Sequence, residues 1–268
     1  MEDTTIMKVE NVSKSFPGVK ALDDVSIEIR KGEVHALVGE NGAGKSTLMK
    51  ILNGVYQANA GEMLLDGEVL CVNGVKEAQE KGISIIFQEF NLINSLSVAE
   101  NIFLGRYNGE KIIDWKSIRH KGQELLQSLG LNVDGNKPEG RLSNAEKQLV
   151  EIAKALSYDA KIRVMDEPTS SLTKKEVELF FPIIERLRQS GITVVYISPK
   201  LEEVFQLCDA VSILRAGKIV GESLIGVISR EEIIEQMVGR SVDVEYPNRP
   251  VEPRPPACAG AQLRRGNT

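Results

Sequence analysis

The chain has 268 residues, 42% of them hydrophobic and 26% charged, and its 38 acidic against 33 basic side chains leave a net charge of −5. That length holds one large domain or two small ones around a well-buried core, and the acidic balance argues against a nucleic-acid partner, whose binding surface carries a basic footprint. Cys71, Cys208 and Cys258 are far apart and the histidines are His35 and His120, so a disulfide framework, a cysteine zinc site and a histidine metal site are not expected. No apolar run approaches the ~18 residues of a membrane span, and residues 1–8 lack the basic and apolar stretches of a secretory signal. A cytosolic protein able to dock on a membrane partner is the expectation.

In chain order, short β-patterned pieces at 8–12 and 26–29 predict the start of an antiparallel sheet, which a third piece at 62–66 joins. Residues 34–38, Val-His-Ala-Leu-Val, read as a buried strand, and 47–55 as a helix. A strand at 83–87 is followed by three helical patterns, 97–104, 114–129 and 145–156. Then come a strand at 162–165, a helix at 174–189, a strand at 192–197 and a helix at 201–207. Alternating strands and helices predict a parallel sheet covered on both faces, interrupted by an inserted helical subdomain at about 91–158. Five of the ten prolines fall between Pro247 and Pro256, and the residues beyond have no periodicity. The span 246–268 is therefore expected to be a disordered tail or the stub of a linker after a domain at 6–245.

The segment Gly39-Glu40-Asn41-Gly42-Ala43-Gly44-Lys45-Ser46-Thr47 fits G-x-x-x-x-G-K-[ST], with a strand before it and a helix after it. Glycines let successive backbone N–H groups turn inward around phosphates, and the helix adds its positive dipole end. In such a loop Lys45 reaches the β- and γ-phosphates and the Ser46 hydroxyl ligates Mg²⁺. Asp166 and Glu167 close the strand at 162–165, where open α/β sheets place their ligands. Asp166 is expected to hold Mg²⁺ through water, and Glu167 to polarise the attacking water as general base.

With these motifs in order, the sequence resembles an ABC-transporter nucleotide-binding domain over about residues 6–250. The resemblance implies a P-loop NTPase (RecA-like) α/β core with an N-terminal antiparallel β subdomain and an inserted helical subdomain. It places Phe16 where the family stacks an aromatic on adenine and Gln88 where a glutamine ligates Mg²⁺ and senses the membrane partner. Residues 142–156 match the signature helix, whose Ser143 would face the γ-phosphate of ATP held by a second domain. Residues 166–172 match the Walker B and D-loop, and 196–203 the switch segment. The wording GENGAGKSTLMKIL, FQEFNL, LSVAENIFLGR and VEIAKAL is similar to the ATPases of bacterial monosaccharide importers, the ribose, xylose and galactose group. That group carries two such domains in tandem.

The resemblance implies ATP hydrolysis with Mg²⁺ driving monosaccharide import at the cytoplasmic face of the bacterial inner membrane. The implied partners are a second nucleotide-binding domain, membrane permease subunits, contacted by about 89–104, and indirectly a periplasmic sugar-binding protein. Three other readings stay open: a non-catalytic nucleotide-binding or regulatory module, an ABC protein acting on the ribosome or DNA, and an importer of another small solute. The first is favoured by departures from the family pattern; the acidic balance disfavours the second.

Those departures fall at demanding positions. Ala145 stands where the family has Gly, so a Cβ crowds the phosphate approach. Glu146 stands where a neutral Gln is usual; Ser143-x-x-Glu146 spells a capping box, yet two like unit charges ~4 Å apart repel by about 4 kcal/mol at an effective dielectric constant of 20. Pro199 replaces the switch histidine, and proline has neither a side-chain donor nor an N–H. Arg163, inside the strand before Asp166, is expected to be exposed or paired with an acid, since an unpaired buried charge is costly.

Overall fold

The computed structural model describes residues 5–86, 91–105, 113–170 and 172–239. The first elements are β1 (Thr5–Phe16) and β2 (Val19–Arg30), which form a hairpin, then β3 (Val34–Val38) and helix α1 (Lys45–Leu52). After β4 (Ala60–Leu65), β5 (Glu68–Val69) and α2 (Val75–Glu80) comes β6 (Ile83–Ile86). Three helices follow, α3 (Val98–Ile102), α4 (Trp115–Ser128) and α5 (Asn144–Leu156). The chain continues through β7 (Ile162–Asp166), α6 (Lys174–Gln189), β8 (Thr193–Ile197) and α7 (Leu201–Leu207) to β9 (Ala210–Arg215), β10 (Lys218–Leu224) and α8 (Arg230–Val238).

Two sheets result. A four-stranded antiparallel sheet has the order β2-β1-β4-β5, and a six-stranded sheet the order β10-β9-β3-β8-β7-β6. In the second, β9, β3, β8, β7 and β6 run parallel and β10 closes the edge antiparallel to β9. The parallel strands have helices on one face and α1 with the smaller sheet on the other, which is why they are mainly apolar, with His35, Ser84, Arg163, Thr193 and Ser212 buried among them. The period of two still sorts side chains between two cores. Val34, Ala36 and Val38 join Val150, Ile152, Phe180 and Ile183 on the helical side. Leu37 joins Leu48, Ile51 and Leu22 on the other. Each fully buried aliphatic or aromatic side chain contributes roughly 1.5–3 kcal/mol, so burial on both faces is what fixes the central strands in place.

β1 and β2 are each 12 residues long, far longer than the short pieces expected from alternation. Their pairing shifts register between Val9 and Val12 and again at Lys14, and each bulge flips the inward phase. Asn11 and Asp24 sit at these irregularities with φ of 53° and 58°, and the Asn11 amide donates to Asp24 Oδ1 at 2.8 Å. The hairpin β9–β10 and helix α8 were not expected. The Pro-rich stretch assigned to a tail or linker lies outside the described residues. Among the described residues no helix is long and apolar enough to cross a membrane.

Candidate functional site

The sheet order places β3 and β7 on either side of β8, so the loop after β3 and the acidic turn after β7 meet at the carboxyl ends of the parallel strands, where α/β sheets hold ligands. Between them opens a cleft of about 680 Å³. Asn41, Gly42, Gly44, Lys45, Ser46 and Thr47 line one wall and Asp166 and Glu167 the opposite one.

The loop has the backbone a phosphate cradle requires. Gly42 and Gly44 take φ of 84° and 114°, values an L side chain rarely adopts. At Gly39 a Cβ would lie 2.2 Å from the Leu214 carbonyl oxygen on β9, so only glycine lets the loop leave the sheet there. Gly44 occupies the N-cap position of α1 with no side-chain cap, which leaves the first N–H groups of the helix for a ligand. Ala43 is buried, and its carbonyl accepts the Gly217 N–H at 2.9 Å. Gly39, Glu40 and Ala43 thus shape the loop from behind rather than lining the cleft.

Lys45 is 8% exposed. Its Nζ donates to the Gly39 and Glu40 carbonyls at 2.8 and 3.0 Å, which pins the ammonium inside its own loop. Burial pulls its pKa below the usual lysine value, while the charges of Glu167 and Asp166 push the other way. Burial, and then the neighbouring Glu167 charge, raise the Asp166 carboxyl above the usual carboxylate range, with Lys45 and Lys50 opposing. Cation and anion are both short of solvation, the condition under which a charged ligand with its counter-ion is welcome. A metal–polyphosphate fits this donor set: backbone N–H groups and Lys45 for anionic oxygens, the Ser46 hydroxyl and Asp166 for a hard cation.

Glu167 takes a left-handed backbone, φ 48°. Its N–H donates to the Ile197 carbonyl at 2.9 Å and its carbonyl accepts from Ser170 N at 3.1 Å, so the turn that aims the carboxyl is held at both ends. Such conformations cost about 1–3 kcal/mol and persist where surroundings impose them.

Other sequence-predicted residues lie elsewhere. Phe16 ends β1 and packs edge-on against Tyr56, the ring centroids 5.2 Å apart, with Lys14 Nζ 5.4 Å from its ring. The cleft wall next to it in sequence is made by Val19, Lys20 and Ala21, and Phe16 is not part of that wall. Ser143 is the N-cap of α5, away from this cleft, and the capping box with Glu146 forms in both directions: Glu146 N donates to Ser143 Oγ at 3.3 Å and Ser143 N to Glu146 Oε2 at 2.7 Å. Glu146 also pairs with Lys137 at 2.9 Å, which no sequence pattern had indicated. Gln88 lies outside the described residues. Pro199 is exposed after the buried Ser198, beyond the end of β8.

Of the two outcomes expected for Arg163, exposure or an acidic partner, the structure overturns exposure. Arg163 is 3% exposed, and its guanidinium donates to the carbonyls of Ala155, Leu156 at 3.3 Å and Tyr158 at 3.0 Å. The cation sits where the last carbonyls of α5 leave partial negative charge. Sequence reasoning also missed Ala216 and Gly217, the tight β9–β10 turn that borders the cleft.

A model of the ABC transporter family matches residues 22–170. The chain is 47% identical over 254 residues to the ribose import ATP-binding protein RbsA of Clostridium perfringens, covering 94% of this chain and 51% of that protein. It is 47% identical over 245 residues to the galactose/methyl galactoside import ATP-binding protein MglA of Fusobacterium nucleatum, covering 91% and 49%. The chain therefore spans about half the length of the curated relatives it matches. Among solved structures, the ADP conformation of MJ1267, an ATP-binding cassette of an ABC transporter, aligns with a TM-score of 0.78 at 28% identity, over 89% of this chain and 100% of that one. A dimeric post-hydrolysis structure of the cassette MJ0796 bound to ADP and Pi aligns with a TM-score of 0.73 at 26% identity, over 82% and 99%.

Proposed function

This chain belongs to the ABC transporter family, and from that premise we propose that it is the ATP-binding and hydrolysing domain of a monosaccharide importer. The observation that carries the reading is the cleft itself, in which a glycine-built loop with a buried lysine faces the half-buried pair Asp166 and Glu167. ATP would lie with its phosphates along residues 41–47, drawn by the N–H groups of the loop, the first turn of α1 and Lys45. A Mg²⁺ ion, held by the Ser46 hydroxyl, Asp166 and Gln88, would offset phosphate charge and polarise the terminal phosphoryl group. Glu167, on its fixed turn, would take a proton from the attacking water. Phe16 would stack on the adenine once the base displaces its edge contact with Tyr56.

Ser143 stands at a helix N-terminus outside the cleft, which supports its use toward nucleotide on a second domain; the dimeric neighbour described above supports the same arrangement. Sugar uptake is inferred from the RbsA and MglA relatives. Permease subunits docked on about 89–104, an indirect link to a periplasmic sugar-binding protein and a peripheral position on the cytoplasmic face of the inner membrane complete the proposal. The test is equilibrium titration of the chain with a fluorescent ATP analogue and Mg²⁺. Wild type should bind, and Lys45→Ala should lose most of that affinity. Equal affinity in the two proteins would overturn the assignment.

A further inference from the structure

The carboxyl of Glu203, on α7, is buried at 5% exposure and gathers more donors than any packing role requires. Thr169 Oγ1 lies 2.8 and 2.7 Å from its two oxygens. The Tyr196 hydroxyl donates to it at 2.6 Å and the Ser198 hydroxyl at 3.2 Å. The Lys200 ammonium stands 3.1 Å from it and also donates to the Thr169 carbonyl at 3.1 Å. These donors come from two places: the end of β8 with the segment after it, and the turn that follows the acidic pair. Thr169 belongs to the turn whose first residue, Glu167, has the left-handed backbone.

We propose that Glu203 is a positioning residue that locks the turn carrying Glu167 to the segment after β8, so that the general base is aimed by a carboxylate on a different helix. The inference rests on the reading of Glu167 as general base. Its physical content is over-determination. A left-handed non-glycine residue relaxes unless its neighbours are tied down, and here the ties are the Glu167 N–H to Ile197 and the Thr169 side chain to Glu203. Hydrophobic residues would hold α7 against the sheet with less desolvation. What three hydroxyls around one carboxylate add is direction, because each bond has one geometry. The segment that carries Pro199 is fixed by the same hub through Ser198 and Lys200, so one buried group sets both edges of the γ-phosphate end of the site.

The test uses the full chain and its Pro199→His form, each carrying Thr169→Val, Thr169→Ser or Glu203→Gln. MgATP affinity should stay within about two-fold of the parent in every variant, because ground-state binding belongs to the loop after β3. In the Pro199→His form, single-turnover phosphate release should fall about ten-fold or more in Thr169→Val and Glu203→Gln, since small displacements of a reacting group cost that much or more. Thr169→Ser, which keeps the hydroxyl, should restore it. Amide exchange at Glu167, Thr169 and Ser170 should quicken in Thr169→Val and not in Thr169→Ser. Should Glu203→Gln fail to fold, Thr169→Val alone carries the test. Unchanged release together with unchanged exchange in Thr169→Val overturns the proposal. Loss of MgATP binding in the parent would instead overturn the nucleotide reading, and the exchange experiment would still decide whether Glu203 holds the turn.

Discussion

The ammonium of Lys137 lies 2.9 Å from Oε1 of Glu146, so the carboxylate at the start of α5 brings its own counter-ion. The other oxygen, Oε2, accepts the Ser143 N–H at 2.7 Å. The hydrogen bond from Lys137, and then that from the Ser143 backbone, hold the Glu146 carboxyl below its usual range. The charge repulsion foreseen for an incoming phosphate is therefore partly neutralised before any nucleotide arrives. The partner was invisible in sequence because the two residues lie on different segments.

Replacing Lys137 by Met should lower the melting temperature by only ~1–3 °C at neutral pH, since half-exposed pairs contribute less than about 1 kcal/mol. The sign of the pH dependence follows from a depressed carboxyl. Its stabilisation is present above the usual carboxylate pKa and is lost as pH falls through the lower folded value. Melting curves of wild type and Lys137→Met should therefore converge in acid and in high salt. A gap that widens on acidification would contradict the assignment.

Asp166 behaves in the opposite sense. Its carboxyl is raised, first by burial and then by the Glu167 charge, so the ionised form costs stability in the nucleotide-free protein. That cost appears as pH rises through the usual and then the folded pKa, and stays constant above. Asp166→Asn should melt ~2 °C or more above wild type at neutral pH without nucleotide, with no difference in acid. In MgATP the order should reverse, because the variant forfeits the cation contact that makes the charge useful. Paired thermal melts with and without MgATP test both halves.

Arg163 fastens the end of α5 to β7, the strand that ends in Asp166. Arg163→Met should strand the carbonyls of Ala155, Leu156 and Tyr158 in a buried place, at about 3 kcal/mol or more. Arg163→Lys should recover only part of it, because an ammonium has no fork with which to reach diverging acceptors. Urea denaturation gives the number. A loss below ~0.5 kcal/mol would mean the helix end is satisfied in another way.

How legible this molecule is depends on whether a feature is local. The loop at 39–47 and the pair Asp166-Glu167 were readable because strand, glycines and helix follow one another in sequence. Helices α6 and α7 were readable to the residue, because the apolar period of α6 runs on through Pro182 and polar residues, Thr173 and Lys200, precede the two helices. β1 and β2 were truncated because bulges reverse the alternation mid-strand. The β9–β10 hairpin was missed because its turn is Ala216-Gly217, both at positive φ (47° and 80°), and alanine at the first place hides a signal that asparagine would have given. The hub at Glu203 and the placement of Arg163 and Lys137 are long-range pairings, set by which strands and helices become neighbours, and no window of sequence contains them.

On the proposed function, Pro199 bears on turnover rather than on binding. It follows Ser198 at the end of β8, beside the turn that carries Glu167, and offers no hydrogen-bond donor where the family's pattern has a histidine. Binding, on the same reading, would use the loop after β3 and Asp166, which line one cleft. Turnover also needs a donor at the γ-phosphate, and losing one preorganised donor costs roughly 10²–10³ in rate. The chain should bind MgATP and hydrolyse it at least ~10²-fold more slowly than its Pro199→His variant. Since Lys137 already offsets Glu146, a further Glu146→Gln change should add little. Ala145→Gly, which removes the Cβ next to Ser143, should add more. The measurement is phosphate release under dimer-forming conditions, with a matching second domain and permease supplied. Equal and appreciable rates for wild type and Pro199→His would mean that another group orders the water. Ser198 is poorly placed for that, because its hydroxyl already donates to Glu203 and accepts from the Lys200 N–H.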